Sequence, residues 1–123
     1  GVEYAVTSIA KNAFKNNKKL TKVKIGRNVK SIGESAFSGC KKLSKVELDV
    51  NLTKIGKNAF RNCKRLKTIT IKSTKLNKKN VGKGAFKGIS SKAVFKVPKS
   101  KLAAYRKLFR SKGLSKKARF KKY

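Results

Sequence analysis

Apolar positions recur along the chain with a period of 23 residues. Phe14, Phe37 and Phe60 fall at that interval, and each follows an alanine (Ala13, Ala36, Ala59). The same spacing links Ile9, Ile32 and Ile55; Leu20, Leu43 and Leu66; Val23, Val46 and Ile69; and Ile25, Leu48 and Ile71. A period of about 20–29 residues with interleaved Leu, Val and Ile signals a solenoid, because no unit buries its apolar face alone and neighbours must stack. Solenoids present surfaces more than they enclose pockets, so the pattern already bears on function.

The V-x-I segments alternate with period two and are rich in β-branched residues. They predict short strands centred on Val23–Ile25, Val46–Leu48, Ile69–Ile71 and Phe95–Val97. Stacked coil on coil, these form a parallel sheet. Each A-F stretch precedes the next leucine at helical spacing but is too short for a full helix, which predicts a single helical or 3₁₀ turn. Bends fall in the region of Gly26, Gly33 and Gly56. The expected fold class is therefore an α/β repeat solenoid of about four 23-residue coils, with Phe14, Phe37, Phe60 and Phe86 stacked in its core.

A fourth unit follows a three-residue insertion: Ala85-Phe86 restarts the pattern, and Phe95 and Val97 keep the strand offsets. Backwards, Val2 aligns with Ile25, and Val6 with Val29 and Leu52, so the chain reads as a piece of a longer array, with a starter strand that caps the array as the competing reading. After Pro98 the period fails. Ser100 is a candidate N-cap for a helix with Leu102, Tyr105, Leu108 and Phe109 as its apolar stripe and Gly113 as its stop. Ala118–Phe120 can add a last strand. Residues 1–97 are thus the repeat array, and 98–123 the cap that covers its exposed sheet edge.

Charge changes the picture. Lys and Arg number 36 against 4 Asp and Glu, a formal net charge of +32, and lysine supplies 30 of the cations. Lys18, Lys41, Lys64 and Lys19, Lys42, Arg65 form two columns whose members would stack about 5 Å apart, repelling by about 0.8 kcal/mol per pair even in bulk water. Such a surface suits a polyanion or many counterions. The scarcity of arginine argues against guanine-edge reading, and most phenylalanines belong to core columns rather than base-stacking platforms. Sequence-specific nucleic-acid recognition is not expected.

Catalytic chemistry finds little to work with. There is no histidine, and the carboxylates are Glu3, Glu34, Glu47 and Asp49. Glu34 falls in a turn and Glu47 on a strand's outer face, so an acid/base pair is not expected. Cys40 and Cys63 are too few for a metal site, and no cofactor is implied. They share a repeat column and read as buried free thiols. A disulfide between coils and a reactive nucleophile are the competing readings, the first disfavoured because side chains in one column point the same way. Asn51-Leu52-Thr53 is an N-x-T sequon that reads as an ordinary turn. No apolar run is long enough to span a membrane.

The segment Ile32-Gly33-Glu34-Ser35-Ala36-Phe37 through Cys40, Leu43, Val46 and Leu48, repeated from Ile55-Gly56 to Ile71, strongly resembles the BspA-like class of leucine-rich repeat. The likeness covers residues 2–97, and the lysine-rich tail resembles the closing segment of such arrays in Gram-positive gut bacteria. The resemblance implies an exported or cell-surface protein that adheres to host matrix proteins or other cells. It transfers no active site.

Two function classes follow. One is a secreted or surface-attached binding module that holds a protein or an anionic polymer such as teichoic acid or glycosaminoglycan. The other is a spacer or cap of a longer surface protein, and a non-specific nucleic-acid binder is a weaker third. For the binding module, Lys22, Lys24, Lys45 and Lys96 are the candidate contact residues. They lie on two outward ladders, Lys22/Lys45/Thr68/Val94 and Lys24/Glu47/Thr70/Lys96. The Lys18, Lys41, Lys64 and Lys19, Lys42, Arg65 columns would supply long-range attraction.

Overall fold

A computed structural model describes residues 6–123. Val2, aligned above with Ile25, lies outside them. Two parallel sheets run the length of the solenoid. The larger joins β2 (Lys22–Ile25), β4 (Lys45–Leu48), β6 (Thr68–Ile71), β7 (Val94–Val97) and β8 (Arg119–Lys122) in that order. The smaller joins β1 (Ser8–Ile9), β3 (Ser31–Ile32) and β5 (Lys54–Ile55), and Val81 bridges onto Ile55 as a further rung. The four expected strands form where the alternation placed them. The smaller sheet went unread as strands, although its Ile9, Ile32, Ile55 column was visible.

The A-F stretches are not helical turns. Asn12, Ser35, Asn58 and Gly84 hold one column of positive φ, and Asn16, Gly39, Asn62 and Gly88 a second, four residues on. Left-handed residues at that spacing cannot belong to a right-handed helix. The chain makes tandem β-turns instead: the Ala13 N–H donates to the Ala10 carbonyl at 3.1 Å and the Asn17 N–H to Phe14 at 3.0 Å. Each has its left-handed residue third, as a type II turn requires. Alternate amides then point to the next coil. Phe14, Phe37 and Phe60 N–H groups donate to the carbonyls of Ala36, Ala59 and Ala85 at 2.7–2.8 Å, a ladder that satisfies backbone groups no helix could.

Gly33 and Gly56 answer to packing rather than bending. A Cβ on Gly33 would stand 2.6 Å from the Lys11 backbone nitrogen, and one on Gly56 2.5 Å from that of Glu34. The coils touch there, and only glycine fits.

Between the two sheets and the turns, the rings form one stack. Phe14, Phe37, Phe60 and Phe86 follow at centroid distances of 5.3, 5.1 and 5.1 Å, within 9° of parallel. Phe37, Phe60 and Phe86 are buried, but Phe14 is 39% exposed, which corrects the expectation of four core rings. Among the described residues it has a ring neighbour on one side only. Val6 is likewise exposed where its counterparts Val29 and Leu52 are buried.

The stack ends against the cap, where Phe95 and Phe109 meet Phe86 edge-on at 84°. Phe109 belongs to α1 (Leu102–Ser111). Ser100 does not cap that helix: it lies inside a 3₁₀ turn, Lys99–Lys101, and Lys101 precedes α1 with no side-chain cap. The far end is as expected. Gly113 adopts φ +104°, its N–H donates to Arg110 and the Leu114 N–H to Phe109, a Schellman closure with Leu114 buried behind it. The last strand then runs Arg119–Lys122, later than the Ala118–Phe120 expected, and its Phe120 stacks on Phe95 at 4.7 Å.

Candidate functional site

Strand alternation decides which side chains leave the core. In β2, β4, β6 and β7, Val23, Val46, Ile69 and Phe95 turn inward with Ile25, Leu48, Ile71 and Val97, so their neighbours turn out. Register then builds the ladders: Lys22 pairs with Lys45, Lys45 with Thr68, and Thr68 with Val94. Beside it, Lys24 pairs with Glu47, Glu47 with Thr70, and Thr70 with Lys96. Both ladders stand as the sequence reading arranged them, with rungs about 4.8 Å apart.

The structure adds a rung that sequence reasoning missed. β8 places Arg119 beside Val94 and Lys121 beside Lys96. The signal existed in Phe120, which occupies the inward column of Phe95. The outer face therefore carries cations at both ends of the sheet and the uncharged, half-buried Thr68, Thr70 and Val94 at its centre. Lys22, Lys24 and Lys45 are exposed and Lys96 is half-buried.

One carboxylate interrupts the face. Glu47 meets the Lys72 Nζ at 2.8 Å, and that hydrogen bond, with smaller attractions to Lys72 and Lys24, holds its carboxyl below the usual range. Lys72 is shifted upward by the same contact. Among the described residues, Lys22, Lys24, Lys45 and Lys96 form no ion pair.

Lys18, Lys41, Lys64 and Lys19, Lys42, Arg65 are all exposed, in the turns that lead into the strands. Their columns stop after three coils. The offset that pairs Thr68 with Val94 puts Ser90 and Ser91 in the positions of Lys64 and Arg65.

Cys40 and Cys63 are buried and free. Their thiols donate to the Phe14 and Phe37 carbonyls at 3.2 and 3.0 Å. Burial, with the neighbouring Cys40 second, pushes the Cys63 thiol up to about 12, and burial raises Cys40 as well. Neither is a nucleophile at neutral pH. The sequon lies in a turn, where Asn51 donates from its side chain to the Arg27 carbonyl at 2.9 Å. No group of three or more Cys, Asp or Glu side chains among the described residues could hold a metal. No described helix is long and apolar enough to cross a membrane.

Stacked 23-residue coils, a continuous parallel sheet and a leucine and phenylalanine core define a leucine-rich-repeat solenoid. The family model described as BspA type leucine rich repeat region (6 copies) matches residues 3–119. The chain belongs to that family, whose repeats serve generally as surface-associated scaffolds for protein interaction. The match runs past Val97 and takes in α1 and the start of β8. No curated protein and no solved structure matches the chain.

Proposed function

We propose that this chain is a non-catalytic binding module of a secreted or cell-surface protein, and that the outer face of the five-stranded sheet is its adhesive surface. One observation carries the reading: the face sets unpaired lysines around an uncharged centre of Thr68, Thr70 and Val94. A mere solvated coat needs no such centre, whereas a protein interface has a less polar middle and a charged rim. Lys22, Lys24, Lys45 and Lys96, joined by Arg119 and Lys121, contact the partner. The turn columns raise the encounter rate from a distance.

The test compares Lys24→Ser/Lys45→Ser with Lys41→Ser/Lys64→Ser at two salt concentrations. The probes are extracellular-matrix proteins, heparin and teichoic acid. With a protein partner the first pair dominates affinity, and salt acts mainly on association rate. With a plain anionic polymer both pairs count about equally, and affinity falls steeply with salt. Indifference of both pairs at both salt concentrations leaves the spacer reading, which α1 favours by packing Phe109 over the end of the core.

A further inference from the structure

Away from the sheet face, the turns of the last two coils and the C-terminal end of α1 enclose a groove of about 530 Å³. None of its lining residues belongs to the five-stranded sheet. Six cations line it: Lys57, Arg61, Lys83, Lys87, Arg110 and Lys112. No carboxylate does. Two of the chain's six arginines are here.

The concentration is local, and the register shows how it arises. One turn column runs Lys11, Glu34, Lys57, Lys83, as the inter-coil hydrogen bonds from Asn12 to Glu34, Ser35 to Lys57 and Asn58 to Lys83 record. Its upstream half is neutralised by the Lys11–Glu34 ion pair at 3.4 Å, and its downstream half has no acid. A second column runs Lys15, Ser38, Arg61, Lys87, diluted upstream by serine and cationic downstream. The cap then docks two more cations. The Gly84 N–H donates to the Lys112 carbonyl at 2.8 Å, which continues the turn ladder into the helix end, and the Lys87 stem lies against Gly113.

Arg110 spends one N–H on the Lys116 carbonyl at 3.3 Å, and Lys112 one on Lys78 at 2.9 Å. Each retains further donors. Lys57, Arg61, Lys83 and Lys87 make no side-chain hydrogen bond or ion pair within the described residues.

We propose that this groove is a second binding site, distinct from the sheet face, for a small ligand bearing several tetrahedral oxyanions. Arginine forks match the paired oxygens of sulfate and phosphate, and lysines supply point charges around them. The volume suits a ligand of about disaccharide size, at the small end of ordinary ligand pockets. A sulfated sugar and a phosphorylated polyol share this chemistry, and both satisfy the site.

The experiment is calorimetric titration of the intact chain with sucrose octasulfate, inositol hexakisphosphate and inorganic sulfate at physiological salt. The expected result is saturable one-to-one binding of at least one of the polyanions, well above sulfate. Whichever binds more tightly names the source of the oxyanions. Arg61→Gln/Lys83→Gln, two exposed side chains outside the core, should weaken that binding about 100-fold, tenfold for each charged hydrogen bond lost. Lys30→Gln/Lys67→Gln, exposed lysines outside the groove and equal in charge removed, should change it less than about twofold. Equal weakening by both pairs would mean diffuse attraction to the whole surface and would overturn the proposal, as would non-saturable binding. Because the sheet-face lysines are untouched, neither result bears on the adhesive face.

Discussion

Replacing Phe60 with alanine removes the centre of the ring stack, and the cost can be worked from its surroundings. The side chain is fully buried, with Phe37 and Phe86 on either side at 5.1 Å. A buried Phe→Ala change costs about 3–5 kcal/mol, because transfer free energy is lost and a cavity is left. Each aromatic pair adds about 0.5–1.5 kcal/mol beyond burial, so two neighbours place Phe60 at the top of that range, near 5 kcal/mol. Phe14 is the built-in control. It is 39% exposed and has one ring neighbour at 5.3 Å. Its loss leaves a notch that water fills, so the cavity contribution drops out. About three fifths of an ordinary Phe burial plus one ring pair gives about 1.5–3 kcal/mol. Urea unfolding followed by circular dichroism, compared at unchanged m-value, measures both. Phe60→Leu preserves the ordering if the alanine variant is too unstable to titrate. Equal costs at Phe14 and Phe60, or a Phe60 cost below about 2 kcal/mol, would refute the stack as the spine of the array.

Cys63 should resist thiol labelling in the native protein and react only as the chain opens. Its thiol is near 12 folded against an ordinary 9.0, so the unfolded chain loses its proton first. The stability linked to Cys63 is therefore full below about pH 9 and lost as pH rises towards 12, and Cys63→Ala should lessen that alkaline fall in urea midpoint. Tyr105→Phe should cost about 1–3 kcal/mol, because the hydroxyl donates to the Ser73 carbonyl and accepts the Leu76 N–H, both buried. An unchanged urea midpoint for that variant would show that the two backbone groups find other partners.

The parallel sheet and both outward ladders were legible because two periods coincide there: alternation within a strand and recurrence every 23 residues. The smaller sheet was not, since strands of two residues such as Ser31–Ile32 leave no alternation to see. The turns were misread as helical because A-F-x-x-C to leucine mimics helical spacing. A better signal lay in the neighbouring columns, where Asn12, Ser35, Asn58, Gly84 and Asn16, Gly39, Asn62, Gly88 alternate residues that tolerate left-handed φ. Ser100 looked like a cap by residue type. Pro98 instead starts a 3₁₀ turn, closed by the Lys101 N–H on its carbonyl at 2.8 Å. The sheet-face lysines needed only strand register. The basic groove needed the docking of a helix end on two coils that lie 23 or more residues away, which no local pattern encodes.

The chain breaks its own period where the cap is fastened. The three-residue insertion falls in the stretch after β6, and Ser73 in that stretch is the buried polar residue of the described core. Its hydroxyl donates to the Leu52 carbonyl at 2.6 Å, while its own carbonyl takes the Tyr105 hydroxyl at 2.6 Å. One residue thus ties the second and third coils to α1. Strict repetition could not supply that tie, because a periodic coil offers its polar groups only to its immediate neighbours. Charge shifts at the same end. Ser90 and Ser91 end the lysine columns, while the cap delivers Arg119 and Lys121 to the sheet face and Arg110 and Lys112 to the groove. The Lys64 and Arg65 columns thus end at the fourth coil, while the cap's cations stand on the sheet face and in the groove. Cap residues are therefore part of both candidate sites, so variants at Arg110 and Arg119 should alter binding as well as closure.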